Sequence, residues 1–209
     1  MALIDITRSV SPDTAVWPGD RPVEWAWTLE IREGESVNLG AFSASTHAGT
    51  HVDAPLHVTA DGAPVDALDP SVFVGPACVV DVSDLDPGQF IRPDRVASVE
   101  APRVLFKTCA SAVPSTRWPD GFPVVHPATV EALAERDAVL IGVDTPSVDP
   151  QESSDLPAHH ALVRNEIVNL EHLHFPDAVV PGRYELLALP LRLSGADAAP
   201  VRAVLRPAA

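Results

Sequence analysis

The pattern of apolar and polar residues predicts many short strands and few helices. Residues 24–31 alternate between apolar and polar side chains and include Trp25 and Trp27, a pattern typical of a half-buried strand. Compact apolar runs at 77–82, 103–109 and 138–143 predict buried strands. Shorter apolar segments predict four more strands, at 3–6, 167–170, 184–191 and 201–205. Strands therefore outnumber helices in the expected fold.

The clearest predicted helix spans residues 127–137. Pro127 stands at its first position, and Val130, Leu133 and Ala134 fall on one face. A shorter helix is predicted over 92–99, and the Pro- and Asp-rich segment 144–157 is expected to be a loop. The 22 prolines exclude a bundle of long helices, because proline ends helices and central strands. With no internal repeat and no linker, residues 1–209 are expected to form a single α/β domain with a mixed sheet.

The composition narrows the classes of function. The chain carries 14 Lys and Arg against 29 Asp and Glu, and this net charge of −15 would repel a phosphate backbone, so nucleic-acid binding is not expected. No signal peptide and no membrane span are expected, because no charged segment leads into an apolar one and no long run lacks charge. Two cysteines, Cys78 and Cys109, are too few for a disulfide framework. A cytoplasmic location is therefore expected.

Four metal-ligating side chains are concentrated in residues 47–57, which read HAGTHVDAPLH. Imidazole and carboxylate groups suit zinc, manganese or iron(II), and catalytic sites combine about three protein ligands with an open position. His47 and His51 would share one face of a helix, whereas an extended segment would bring Asp53 toward the metal of His51. Burying so many polar groups without a metal or a hydrogen-bond network would be costly. The segment therefore predicts a metal site.

A second group of histidines is expected to complete the site. His159 and His160 follow the Pro- and Asp-rich loop, and Glu171 lies beside His172 and His174. A two-metal site requires bridging carboxylates from separate segments, for which Asp53 and Glu171 are the natural candidates. Spacing alone does not choose between His159 and His160, nor does it separate ligands from solvated histidines at positions 172 and 174.

Residues 47–57 also match in full the HxGTHxDxPxH signature of the cyclase family of metal-dependent hydrolases. The chain resembles the bacterial kynurenine formamidase (arylformamidase) branch of that family along essentially its whole length. The stretches that carry the resemblance are WPGD at 17–20, GVDTPSVD at 142–149, AHHAL at 158–162, PGRYEL at 181–186 and APVRAVLR at 199–206. The resemblance implies a β/β/α swivelling fold that assembles as a homodimer or a higher homo-oligomer.

The resemblance also implies a reaction and a role for individual residues. The reaction is hydrolysis of N-formyl-L-kynurenine to L-kynurenine and formate in tryptophan degradation, with two zinc ions per subunit and manganese or cobalt as possible replacements. The implied metal ligands are His47, His51, Asp53, His159 and Glu171, of which Asp53 and Glu171 reach both ions. His57 is implied to be the catalytic proton donor and acceptor, and Trp17 to pack against the aromatic substrate.

Two departures and two alternatives accompany this interpretation. Relatives often carry a lysine where this chain has residues 152–155 (ESSD), and Arg-Thr where it has Lys107-Thr108, so substrate preference can differ. The same scaffold could instead serve a cyclic amide hydrolase of the isatin-cleaving kind or a polyketide-type cyclase. A non-enzymatic metal-binding module is the alternative from another class. A serine-hydrolase mechanism is not expected, because the chain has no GxSxG motif.

Overall fold

A computed structural model describes residues 3–208, which form thirteen strands and two α-helices. In chain order the strands are β1 (Ile4–Asp5), β2 (Glu24–Leu29), β3 (Leu39–Ser43), β4 (His51–Asp53), β5 (Val74–Asp81), β6 (Phe90–Ile91), β7 (Arg103–Lys107), β8 (Val124–Val125), β9 (Leu140–Val143), β10 (Val168–Glu171), β11 (Gly182–Leu187), β12 (Ala198–Pro200) and β13 (Val204–Pro207). The helices are α1 (Pro127–Ala134) and α2 (Pro157–Arg164). Neither described helix has the length and apolar character needed to cross a bilayer.

Nine strands form one mixed sheet in the order β1-β13-β11-β5-β7-β9-β10-β4-β12. The central strands β5, β7, β9 and β10 run parallel, and the strands on either side of them pair antiparallel. Residues 104–106 of β7 and all of β9 are apolar and buried, as expected for strands whose two faces are both covered. One face packs on a cluster that includes Val52, Leu105 and Leu170. The other face carries α1 and α2 through a cluster that includes Val130 and Leu162.

The expected α/β class with a mixed sheet and few helices is confirmed, and so are the seven strands predicted outside residues 24–31, with shifted ends. The predicted helix 127–137 is α1, which ends at Ala134, and the helix predicted over 92–99 is a short 3₁₀ turn, Pro93–Val96. Strands β3, β4, β6, β8 and β12 and helix α2 were not predicted.

The prediction of a half-buried strand over residues 24–31 is wrong in its burial. Within residues 3–208, strand β2 pairs only with β3, and these two strands form a hairpin apart from the main sheet. Trp25 and Trp27 are each 45% exposed, and Phe42 on β3 is 66% exposed. The alternation therefore reflects a hairpin with an apolar face turned outward, not a strand packed on this chain's core.

Candidate metal centre and its cavity

Strand pairing brings two carboxylates and a histidine together in the centre of the molecule. Strand β4 lies between β10 and β12, with His51 directly opposite Glu171 and Asp53 directly opposite Asn169. Because side chains two residues apart share a face of a strand, these four side chains point to the same side of the sheet. The intervening Val52 and Leu170 point into the apolar core. The extended segment expected to bring Asp53 beside His51 is found as β4, whereas the residues from His47 to Thr50 form a turn and not the helix that would put His47 and His51 on one face.

Helix α2 brings His159 to the same face. Asp149 accepts hydrogen bonds from the backbone N–H groups of Ala158 and His159, so its carboxylate caps the start of the helix. Asp149 Oδ2 also lies 2.7 Å from His159 Nδ1. His159 Nε2 lies 3.6 Å from Asp53 Oδ2 and 3.4 Å from Glu171 Oε1. His160, the next residue on α2, is exposed.

His47 enters the centre from the turn before β4. Its Nδ1 lies 3.0 Å from Asp53 Oδ1, and its Nε2 lies 2.9 Å from Asp197 Oδ2. Gly49 makes this turn possible, because its φ of +68° is a left-handed conformation that side chains disfavour. A Cβ at this position would also come within 2.6 Å of the Val10 side chain.

One ring nitrogen of each of these three histidines is held by an acceptor outside the centre. The acceptors are Asp197 for His47, the Gly49 carbonyl for His51 and Asp149 for His159. The other ring nitrogen of each faces Asp53 or Glu171. Metal-binding histidines show this arrangement, in which a second hydrogen bond fixes the tautomer and the ring orientation.

Three buried side-chain atoms in the centre, His51 Nε2, Asp53 Oδ1 and Asn169 Oδ1, make no hydrogen bond of normal geometry with the described residues. A bound cation would supply a partner for the first two. Ligand atoms of His51, Asp53 and Glu171 lie within 4.8 Å of one another, and so do those of His47, Asp53 and His57. Imidazole and carboxylate ligands in this number suit divalent transition metals. The residues therefore fit the metal that the sequence predicts.

The charges of the centre depend on one another. Burial disfavours the imidazolium of His51, but the facing Asp53 and Glu171 outweigh it and raise the pKa of His51 to about 10. Burial likewise opposes the charged form of His159, and Asp149, Asp53 and Glu171 raise its pKa well above the ordinary value. The histidines in turn hold the pKa of Asp53 well below its usual range despite burial. Protons on His51 and His159 therefore balance the negative charge of the carboxylates, and a bound divalent cation would take over that role.

His57 differs from the other histidines in the centre. It ends the 3₁₀ turn Pro55–His57, its side chain is 31% exposed, and its Nδ1 lies 3.5 Å from Asp197 Oδ2. Burial lowers the pKa of His57, and the negative charge of Asp53 only partly offsets this. His57 is therefore neutral near pH 7 and can accept a proton.

A cavity of about 440 Å³ opens onto the centre. One part of its lining consists of His47, His51, His57, His159 and Glu171, and another part includes the contacting rings of Trp17 and Trp118 together with Gln151 and Leu156. Asp20 lies at the cavity as well, and none of the described lining residues is Lys or Arg. The lining of the cavity therefore combines a metal-ligating part with an aromatic part.

The structure brings together all seven residues that the sequence singled out for roles. His47, His51, Asp53, His57, His159, Glu171 and Trp17 border one cavity or contact one another at its metal-ligating part. His172 is buried and lines the cavity, and His174 is partly exposed. Burial and the charge of Arg8 lower the pKa of His172 to about 3, so its ring is neutral.

Sequence reasoning missed three polar residues that orient the centre: Asp149, Asn169 and Asp197. Asn169 Nδ2 donates to Asp53 Oδ2 at 2.9 Å and to Glu171 Oε1 at 2.7 Å. Asn169 carries a usable signal, because it stands two residues before Glu171 on a predicted strand. Asp197 carries none, because only the pairing of β12 with β4 brings it near His47.

Comparisons with known proteins agree with this geometry. The Cyclase family model, described as "Putative cyclase", matches residues 4–150. The curated kynurenine formamidase of Salinibacter ruber (strain DSM 13855 / M31) is 56% identical over 212 residues, covering 100% of this chain and 99% of the relative.

Solved structures share the fold. One described as a "potential metal-dependent hydrolase with cyclase activity" is 27% identical, with a TM-score of 0.82 over 98% of this chain and 96% of that chain. Isatin hydrolase A from Ralstonia solanacearum is 26% identical, with a TM-score of 0.84 over 98% of this chain and 91% of that chain. The family model spans most of the chain, and the sheet, the clustered ligands and these relatives all agree: the chain belongs to the cyclase family.

Proposed function

We propose that this protein hydrolyses N-formyl-L-kynurenine to L-kynurenine and formate, an arylformamidase reaction in tryptophan degradation. The observation that carries the proposal is the cavity, whose lining combines metal-ligating side chains with two tryptophan rings. An aryl formamide has the matching shape, with a small reactive group attached to a flat apolar ring. The 56% identity to a kynurenine formamidase over the whole chain supports the same substrate.

The metal is proposed to be zinc, with two ions per subunit. His47, His51 and Asp53 would hold one ion, Asp53 and Glu171 would reach both, and His159 would complete the set. The unpartnered His51 Nε2 and Asp53 Oδ1 support this assignment, as do the acceptors that fix each histidine ring. Bound divalent cations supply Lewis-acid polarisation of the formyl oxygen and activation of the attacking water.

His57 is the proposed proton carrier. Its Nδ1 faces Asp197, so Nε2 is the nitrogen free to exchange a proton at the cavity. The neutral ring accepts a proton as the water oxygen bonds to the formyl carbon. It then delivers that proton to the aniline nitrogen as the carbon–nitrogen bond breaks and formate is released. The grouping of His57 with His47 and Asp53 would also allow it to bind a metal, but its partial exposure favours proton transfer.

The exposed hairpin β2–β3 supports a proposal of homodimerisation. An isolated two-stranded hairpin is marginal in water, and this one presents Trp25, Trp27 and Phe42 to the outside. Packing against a second copy would cover this apolar face. Replacing Phe42 by Ser is then expected to shift the protein to monomer in sedimentation analysis, and an unchanged dimer would contradict this contact.

A cytoplasmic location is proposed from the cysteines. Cys78 and Cys109 are both free thiols, and Cys109 is exposed. Exposed thiols persist in reducing compartments, where disulfides are rare.

A substrate comparison tests the proposal. The zinc-loaded protein is expected to release formate and L-kynurenine in equal amounts from N-formyl-L-kynurenine, and to open isatin at a far lower kcat/KM. Faster opening of isatin would favour the cyclic amide hydrolase, to which the resemblance to isatin hydrolase A relates. If neither substrate turned over, a metal-binding module would be the better reading.

A further inference from the structure

A second tryptophan, on a segment remote from the metal-binding motif, forms part of the cavity wall. Trp118 follows the 3₁₀ turn Cys109–Ala112 and is partly buried in the aromatic part of the cavity lining. Its ring centroid lies 5.4 Å from that of Trp17, with 77° between the ring planes. The same ring lies 6.1 Å from the neutral ring of His172. Trp118 is thus the central member of a run of three aromatic rings.

The orientation of Trp118 is fixed by a polar contact inside the cavity. Its indole N–H donates to Gln151 Oε1 at 2.6 Å, and Gln151 lines the same cavity. Half-buried tryptophans commonly keep such a partner, and the bond limits the ring to one orientation. Because Gln151 belongs to the loop between β9 and α2, this bond joins two segments around the cavity.

The segment that carries Trp118 is itself tied down. The buried guanidinium of Arg8 donates to the carbonyl of Val113 at 2.8 Å. The backbone N–H of Ala15 donates to the carbonyl of Ser115, also at 2.8 Å, and so connects this segment to the one that carries Trp17. The two tryptophans are therefore held in a fixed relation before any substrate arrives, which lowers the entropic cost of binding.

The two rings form a corner that suits a flat aromatic group. The two rings touch edge to face, with centroids 5.4 Å apart and 77° between the planes, so a third ring does not fit between them. Placed in the angle beside their contact, it can stack on one tryptophan and meet the face of the other with its edge. An alkyl group of equal size gains the apolar contact but not the ring geometry. Such a corner would favour an aryl amide over an alkyl amide of equal size.

We propose that Trp118 is a specificity-determining residue that binds the aryl ring of the substrate together with Trp17, and that Gln151 is a positioning residue that acts through Trp118. This inference rests on the proposed arylformamidase function and extends it to a residue outside the motifs. In this proposal the preference for aryl amides depends on the Trp118 ring and on the hydrogen bond from its indole N–H to Gln151, which holds the ring in place.

The first experiment measures the steady-state kinetics of Trp118→Leu in the zinc-loaded enzyme. The KM is expected to rise about tenfold for both N-formyl-L-kynurenine and formanilide, while kcat stays within about threefold, because the contact is made equally in ground and transition states. Formanilide lacks the amino-acid tail, so an equal rise assigns the contact to the ring. Phe90→Leu, a change at an exposed aromatic residue outside the cavity, is the matched control and should leave both KM values unchanged.

Two outcomes of that experiment would overturn the proposal. If both KM values stay within twofold of wild type, Trp118 does not bind the substrate. If only the KM for N-formyl-L-kynurenine rises, Trp118 contacts the tail and not the ring.

The second experiment tests Gln151 through the atom it offers to the indole. Gln151→Leu removes the acceptor and is expected to raise the KM for formanilide about threefold to fivefold. Gln151→Glu keeps a side-chain oxygen at that place and is expected to restore a KM within twofold of wild type. Equal effects of the two substitutions would contradict the positioning role.

A binding measurement separates this inference from the proposed function. Calorimetry on the zinc-loaded protein should show acetanilide binding more tightly than N-butylacetamide, and Trp118→Leu should remove that preference. If the wild type failed to hydrolyse N-formyl-L-kynurenine yet showed this Trp118-dependent preference, the proposed function would be wrong and the aryl-binding role would stand. If the wild type showed no preference, the inference would be wrong whatever the turnover.

Discussion

Replacing Asn169 by Ala is expected to weaken metal binding although Asn169 is not a proposed ligand. The side-chain amide donates to Asp53 Oδ2 at 2.9 Å and to Glu171 Oε1 at 2.7 Å, so one buried group aligns both carboxylates that are proposed to bridge the metals. Without it, each carboxylate can rotate away from the geometry that a shared cation requires. The substitution therefore tests the alignment of the metal ligands without removing any ligand.

The magnitude follows from the two contacts. Hydrogen bonds to charged groups contribute about 1.5–3 kcal/mol each, which gives an upper limit of about 3–6 kcal/mol for the pair. A bound cation itself restrains both carboxylates, so only part of this is expected to appear in the affinity. Loss of such an outer contact typically costs about tenfold to 100-fold in metal affinity. At about 1.4 kcal/mol per factor of ten, this corresponds to about 1.4–2.8 kcal/mol.

The assay is a competition for zinc between the protein and a chelator of known affinity. Asn165→Ala is the matched control, because its side chain donates a single hydrogen bond to the Ala161 carbonyl at the end of α2 and touches no proposed ligand. The expected result is a Kd for zinc raised about tenfold to 100-fold in Asn169→Ala and unchanged in the control. A Kd within twofold of wild type in Asn169→Ala would refute the alignment role and with it the geometry of the bridged centre.

Four further results are expected. His159→Ala should lower the zinc content of the purified protein and remove most of the activity. His160→Ala, a change at the next and exposed position of α2, should alter neither quantity. Equal losses in the two variants would mean that the ligand is misassigned. Asp20→Asn should raise the KM for N-formyl-L-kynurenine but not for formanilide, because Asp20 is an acidic lining residue that would attract the ammonium group found only on the first substrate; a rise for both would place Asp20 against the ring. Zinc at 100 times its Kd should raise the melting temperature by about 5–11 °C per site in scanning calorimetry, from about 2.7 kcal/mol of added stability, and no shift would argue against the centre. Gly49→Ala should destabilise the fold in urea unfolding, because φ at this position is +68° and the added Cβ would meet Val10 at 2.6 Å; wild-type stability would show that the turn relaxes freely.

The ligand types of the centre could be predicted from the sequence because they are concentrated in one short segment. The arrangement of the centre could not, because it depends on the pairing of β4 with β10, strands more than 100 residues apart. That pairing sets His51 against Glu171 and Asp53 against Asn169, and no local pattern reveals it. Spacing in the sequence does not decide whether His159 or His160 is the ligand for a similar reason. Only the packing of α2 on the sheet determines which of the two side chains faces inward.

Two errors in the predicted elements have the same physical origin. The alternation in residues 24–31 indicates that the two faces of β2 differ in polarity, but it does not indicate what covers the apolar face. In the described residues no part of the main sheet covers it. The sequence pattern does not reveal helix α2, because Pro157 fits the end of the preceding loop as well as the first position of a helix, of which proline is equally typical. In both cases the sequence carries a local pattern, but the pattern does not show which other segment the element packs against.

Zinc titration of the chelator-treated enzyme, with turnover of N-formyl-L-kynurenine followed at each addition, tests the central claim most directly. We expect no release of formate without metal, a rise in turnover as zinc is added, and a plateau at two ions per chain with equal formate and L-kynurenine. Full turnover by the chelator-treated protein, or no turnover at any zinc content, would contradict the claim.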